Sequence, residues 1–171
     1  AAKPYLERAY VIGRGRPELP AMRTILIQLD PENAPRMREF AEVDDRRKDA
    51  AGALFWTERA LNADPDNGRS RHLMGRLLMD QDEYVLALPE LVRAAELLPK
   101  GYIVFQDLGR CNAQLGRYPS ARTAYERAIE LLRDQTYPGD PNGPPQVIEA
   151  FEATKQGEIS KLEMRLSELP K

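Results

Sequence analysis

From Gly68 to Gln135 the chain reads GRSRHLMGRLLMDQDEYVLALPELVRAAELLPKGYIVFQDLGRCNAQLGRYPSARTAYERAIELLRDQ, two stretches of equal length, 68–101 and 102–135, that keep step with each other. Laid one over the other, Gly75 falls on Gly109, Tyr84 on Tyr118, Ala87 on Ala121, Arg93 on Arg127 and Ala94 on Ala128. The same period runs upstream, from Pro99 to Pro65 and Pro31, from Ala87 to Ala53, from Ala94 to Ala60 and from Arg93 to Arg59. Small, large and helix-breaking positions therefore recur in phase. A unit of this length cannot bury its apolar face alone and must stack on its neighbours.

Each stretch reads as a helical hairpin. In the first, Leu73, Leu77 and Leu78 recur at helical spacing, the polar run Asp80 to Glu83 interrupts them, and Leu88, Leu91 and Val92 resume with Ala87, Ala94 and Ala95 between them. In the second, Phe105, Leu108 and Cys111 mark the opening helix, Gly116 the turn, and Pro119 a first helical turn, where its missing N–H costs nothing. Ala121, Ala124, Tyr125, Ala128, Ile129 and Leu132 complete the second helix. Two helices approach closely only where one offers Gly or Ala to a bulky residue of the other, so the recurring small residues specify tight pairs.

These residues resemble the tetratricopeptide repeat. The family pattern matches Phe105, Leu108, Gly109, Ala121, Tyr125 and Ala128 in one unit, with Asn112 and Arg133 departing from its bulky residue and its proline. Met74, Gly75, Leu78, Ala87, Leu91, Ala94 and Pro99 match in the unit before, where Arg71 stands in the tryptophan column. Phe40, Ala41, Ala53, Ala60 and Pro65 match in a third, with Asp44 and Thr57 in bulky columns. The opening segment, 1–33, keeps Leu6, Tyr10, Pro17 and Pro31 but puts Glu7, Leu19 and Leu26 in small-residue columns. The resemblance implies an all-α, right-handed α-solenoid of stacked antiparallel hairpins. Its expected organisation is a degenerate repeat over 1–33, three repeats over 34–67, 68–101 and 102–135, a Pro/Gly loop over 136–145 and a C-terminal capping helix over 146–171.

The loop is legible in TyrProGlyAspProAsnGlyProPro, Tyr137 to Pro145, which holds too much Pro and Gly for helix or strand. After it, Ile148, Phe151, Ile159, Leu162, Leu166 and Leu169 form one apolar stripe, despite Gly157. A repeat stack needs an end cap to cover its last apolar face, and this helix is read as that cap or as a handle for a second chain.

Composition narrows the classes of function. A length of 171 residues with 42% hydrophobic and 30% charged residues suits one soluble helical domain, and a net charge of −2 provides no basic field for nucleic acid or an anionic membrane. Cys111 is the single cysteine and His72 the single histidine, so a disulfide, a Cys/His metal site and a histidine acid–base couple have no material. No apolar run reaches membrane-helix length, so direct membrane insertion is not expected; the compartment is left open, cytoplasmic or periplasmic in a bacterium. The chain opens on Ala1, which fits a processed precursor or an excised piece. No catalysis, cofactor or metal is expected.

The resemblance places the fifth and ninth columns of each unit's first helix on a concave groove. Those columns hold Arg38, His72 and Gln106, and Arg8, Glu42, Arg76 and Arg110. Arg69, His72, Arg76 and Arg110 with Arg38 would form a basic strip interrupted by Glu42, whose complement is an acidic peptide or a chain-end carboxylate. The plainer reading is that Arg is a good helix former on a wet face. The family's carboxylate clamp uses Lys and Asn at set columns, which this chain lacks. The expected function is a protein–protein interaction module within a multi-protein complex. The alternative is one part of a larger enzyme or of a secretion or envelope assembly, recruiting substrate for chemistry on another chain. An RNA-reading helical solenoid is disfavoured by the small-residue columns and the acid balance.

Isolated features have simpler readings. His72 is read as a solvated groove residue, Cys111 as a packed thiol, and the neighbours Phe55 and Trp56 as cover for the first hairpins rather than partner anchors. Gly13 to Gly15 lacks a dinucleotide loop's third glycine and Asp64 to Gly68 lacks a calcium loop's spacing, so both are read as turns.

Overall fold

The computed structural model describes residues 19–141 and 143–170. Leu6, Tyr10 and Pro17, Arg8 of the ninth column and the Gly13 to Gly15 turn lie outside them. Among the described residues there are eight helices: α1 Leu19–Leu29, α2 Ala34–Arg46, α3 Ala50–Ala63, α4 Gly68–Met79, α5 Tyr84–Leu97, α6 Tyr102–Gln114, α7 Tyr118–Arg133 and α8 Pro145–Glu168. Helices α2 with α3, α4 with α5, and α6 with α7 pair most extensively; α3 packs on α4, α5 on α6 and α7 on α8. The first helices α2, α4 and α6 also touch in succession, as in a right-handed α-solenoid.

Local chemistry repeats with the same period. Asn33 Oδ1 accepts from the Arg36 amide and Asn67 Oδ1 from the Ser70 amide, while their Nδ2 groups donate to Asp30 and Asp64. These side chains satisfy donors that a helix start otherwise leaves without partners. Inside each hairpin the turn passes through a left-handed residue: Lys48 at φ 64°, Asp82 at φ 61° and Gly116 at φ 70°, each one full repeat after the last. Only the third is glycine, so residue type signals the left-handed conformation at one of three equivalent turns.

Tight packing follows the small residues. A methyl group added at Gly75 would lie 2.6 Å from Leu91 Cγ, and one at Gly109 would lie 2.6 Å from the Tyr125 ring. Ala53, Ala60, Ala87, Ala94, Ala121 and Ala128 are all fully buried. Trp56 packs between the Phe40 cluster and the Leu73 cluster, its ring 4.9 Å from Phe40 in an edge-on arrangement, whereas Phe55 is 50% exposed. The covering role thus falls to Trp56 alone.

Columns that depart from the family pattern are filled by polar pairs. Asp44 is buried against Arg23, which donates through Nη1 at 2.6 Å. Thr57 Oγ1 donates to the Ala53 carbonyl at 2.7 Å, and Asn112 Nδ2 to the Leu108 carbonyl at 2.9 Å. In the tryptophan column, Arg71 reaches Glu90 at 2.8 Å and the Pro65 carbonyl at 2.9 Å, tying α4 to α5 by charge where the family uses bulk.

Helix α8 caps the array through its second half. Ile159 and Leu162 are buried against Tyr125, Ala128, Ile129 and Leu132, with Leu166 and Leu169 alongside. Ile148 and Phe151 are only half-buried; Phe151 meets Tyr137 of the Pro/Gly loop edge-on at 5.6 Å, and Lys155 donates to the Gln135 carbonyl. Among the described residues no helix is long and apolar enough to cross a membrane.

Candidate partner-binding groove

Helices α2, α4 and α6, the first helices of successive hairpins, carry the candidate groove residues. Between α2 and α4 opens a cavity of about 530 Å³ lined by Glu42, Asp45, Arg46, Arg69, His72, Leu73 and Arg76, and closed on the α6 side by the exposed Ile103. Arg69, His72 and Arg76 line it together. Arg110 lines a separate cavity of about 280 Å³ with Gln114, Tyr125 and Arg165, one step further toward α8. Arg38 and Gln106 line neither.

The basic side chains bring their own counter-ions. Arg76 Nη2 lies 3.2 Å from Asp45 Oδ2 across the α2–α4 contact, and Arg38 Nε lies 3.3 Å from Glu42 one turn along α2. Arg110 Nη2 sits 3.6 Å from Asp107 Oδ1 and 3.9 Å from the Met79 sulfur. Arg69 and Arg46 are exposed and unpaired among the described residues, so the α2–α4 cavity keeps a cationic excess after its acids are matched. The strip is one of alternating charge with two open cations.

His72 differs from the solvated reading. Its Nε2 donates to Asp107 Oδ2 at 2.8 Å, with side chains 16% and 10% exposed. A carboxylate can only accept, which places the proton on the histidine nitrogen. The pair joins α4 to α6 across a distance of 35 residues in sequence. Asp107 and Asp45, absent from the sequence-derived site, are the residues that organise it. Their signal was present only as acidic positions on the same helical faces as the arginines.

Cys111 is fully buried and donates through Sγ to the Tyr84 carbonyl at 3.3 Å; burial pushes its thiol above the ordinary range, with nearby Arg110 and Arg117 pulling weakly the other way. Burial likewise raises the Tyr125 phenol, opposed by Arg165. A neutral, inaccessible thiol is a packing group, as the sequence suggests.

No family model matches the chain. The type IV pilus assembly protein PilF of Pseudomonas aeruginosa is 30% identical over a match covering 58% of this chain and 46% of that protein. The chain thus spans about half the length of this curated relative. Among solved structures, MamA superposes with a TM-score of 0.68 at 14% identity, covering 96% of this chain and 89% of MamA. YrrB, described as a TPR protein with an unusual peptide-binding site, superposes with a TM-score of 0.61 at 23% identity, covering 95% of this chain and 78% of YrrB. The fold is that of the tetratricopeptide-repeat structures it superposes on.

Proposed function

We propose that the chain is a non-catalytic interaction module that holds an acidic segment of another protein in its concave groove. The supporting observation is the α2–α4 cavity, where Arg46 and Arg69 remain open beside the Arg76–Asp45 pair. Carboxylates of an entering segment would meet the open cations and compete with Asp45 for Arg76, each charge-assisted hydrogen bond contributing about 1.5–3 kcal/mol where water is excluded. Two or three such contacts plus apolar burial on Ile103 reach micromolar strength, about −8 kcal/mol. The peptide-binding site named for YrrB supports the same use of this fold.

Pulldown from the source cells tests the reading. Partners that disappear with Arg69→Glu plus Arg76→Glu, while circular dichroism shows full helicity, support it. Partners that are retained move the site off this groove.

A second reading is favoured by the PilF match: the chain is one part of a bacterial envelope assembly, in the cytoplasm or periplasm, that positions a client for work done by another subunit. Native mass spectrometry of the complex purified from its source distinguishes the two. A stable multi-subunit particle supports the assembly role, and an isolated chain with transient ligands removes it.

A further inference from the structure

The opposite face of the array carries a groove that the concave site does not use. Leu88 and Val92 of α5, Phe105 and Leu108 of α6, and Arg117 and Arg127 beside and on α7 line a cavity of about 620 Å³. Among the described residues no aspartate or glutamate lines it. Val92 is 41% exposed, and Val85 and Leu86 at the start of α5 are 72% and 56% exposed, so apolar surface continues beyond the cavity. In the preceding hairpin the positions equivalent to Val85, Leu86 and Val92 are Ala51, Gly52 and Glu58, so repeat packing does not require large apolar residues there.

Charge selects the occupant. Among the described residues Arg117 is exposed and unpaired, and Arg127 has its only ion-pair partner in Glu130, one turn along its own helix and outside the cavity wall. The two arginines are ten positions apart, about 15 Å at helical rise, with Ser120, Thr123 and Ala124 of the cavity wall between them along α7. We propose that this groove docks an amphipathic helix of another protein, with apolar side chains at three- and four-residue spacing on Leu88, Val92, Phe105 and Leu108. Asp or Glu about three turns apart would meet Arg117 and Arg127. The module then holds one partner on each face, and this second site stands whether or not the concave reading does.

The test pans a phage-displayed library of random 16-residue peptides against the intact chain, with counter-selection on Val92→Asp. Enriched peptides are expected to carry apolar residues at helical spacing flanked by acids. Calorimetry with a synthetic copy of the most enriched peptide should show about tenfold or greater weakening for Val92→Asp and for Arg117→Glu plus Arg127→Glu. Arg69→Glu plus Arg76→Glu should leave that affinity within about twofold. Absence of enrichment, basic or uncharged winners, or sensitivity to the concave variants alone overturns the proposal. So does sedimentation showing a dimer of the chain that Val92→Asp dissolves, since the groove then belongs to a second copy. If Val92→Asp does not fold, the surface change Arg117→Glu carries the same comparison.

Discussion

His72 Nε2 and Asp107 Oδ2 stand 2.8 Å apart, joining the first helices of two successive hairpins through side chains largely covered by protein. Truncating His72 to alanine leaves a mostly buried carboxylate whose other partner, Arg110, is 3.6 Å away. His72→Ala is expected to cost about 1–3 kcal/mol, and a double-mutant cycle with Asp107→Ala to show coupling above about 0.5 kcal/mol. Additive urea melts would show that the contact carries no stability.

Gly109 faces the Tyr125 ring with no room for a methyl group. Gly109→Ala should lose about 1–3 kcal/mol by overpacking, and Tyr125→Leu in the same chain should recover part of that loss. Ala94, fully buried between helices, should behave alike when replaced by leucine. Thermal melts unchanged by these substitutions would contradict the helix contacts described.

Lys48 holds a left-handed backbone that glycine adopts without strain. Lys48→Gly should stabilise the chain by up to about 1 kcal/mol, whereas Gly116→Ala should destabilise it by a similar amount. Asp82 accepts a hydrogen bond from the Tyr84 hydroxyl, and aspartate tolerates this conformation, so Asp82→Gly should gain less. Denaturant midpoints for the three variants check the ranking.

The Cys111 thiol is raised by burial, so the folded chain keeps a proton that the unfolded chain loses at the ordinary thiol value. Stability should therefore fall as pH rises from that value through the raised one. Cys111→Ala should flatten this part of the alkaline decline, leaving the contribution of Tyr125. A disulfide reagent should label Cys111 only after denaturant is added; rapid labelling of the native chain would contradict its burial.

Much of the architecture was legible before any coordinates. Gly75 and Gly109, the alanines at 53, 60, 87, 94, 121 and 128, and the prolines at 31, 65 and 99 encode close approach and chain reversal through the shape of single residues. Such local constraints survive in a one-dimensional reading. The turn around Asp82 was legible as a polar break, but the left-handed backbone at Lys48 and Asp82 was not, because neither residue advertises that conformation as Gly116 does.

The groove was legible only by column. The resemblance placed His72 and Arg76 on the groove, and Arg69 shares their side of the helix because residues three and four apart do. It could not show that Asp45 and Asp107 neutralise parts of that face, nor that Leu88, Val92 and Phe105 meet under Arg117 and Arg127 on the other. Those pairings link residues from different hairpins, and whether two charges touch or stand apart in water depends on how the hairpins stack. Repeat spacing thus carries the helices and their order, while packing between units sets the balance of charge and the open surface.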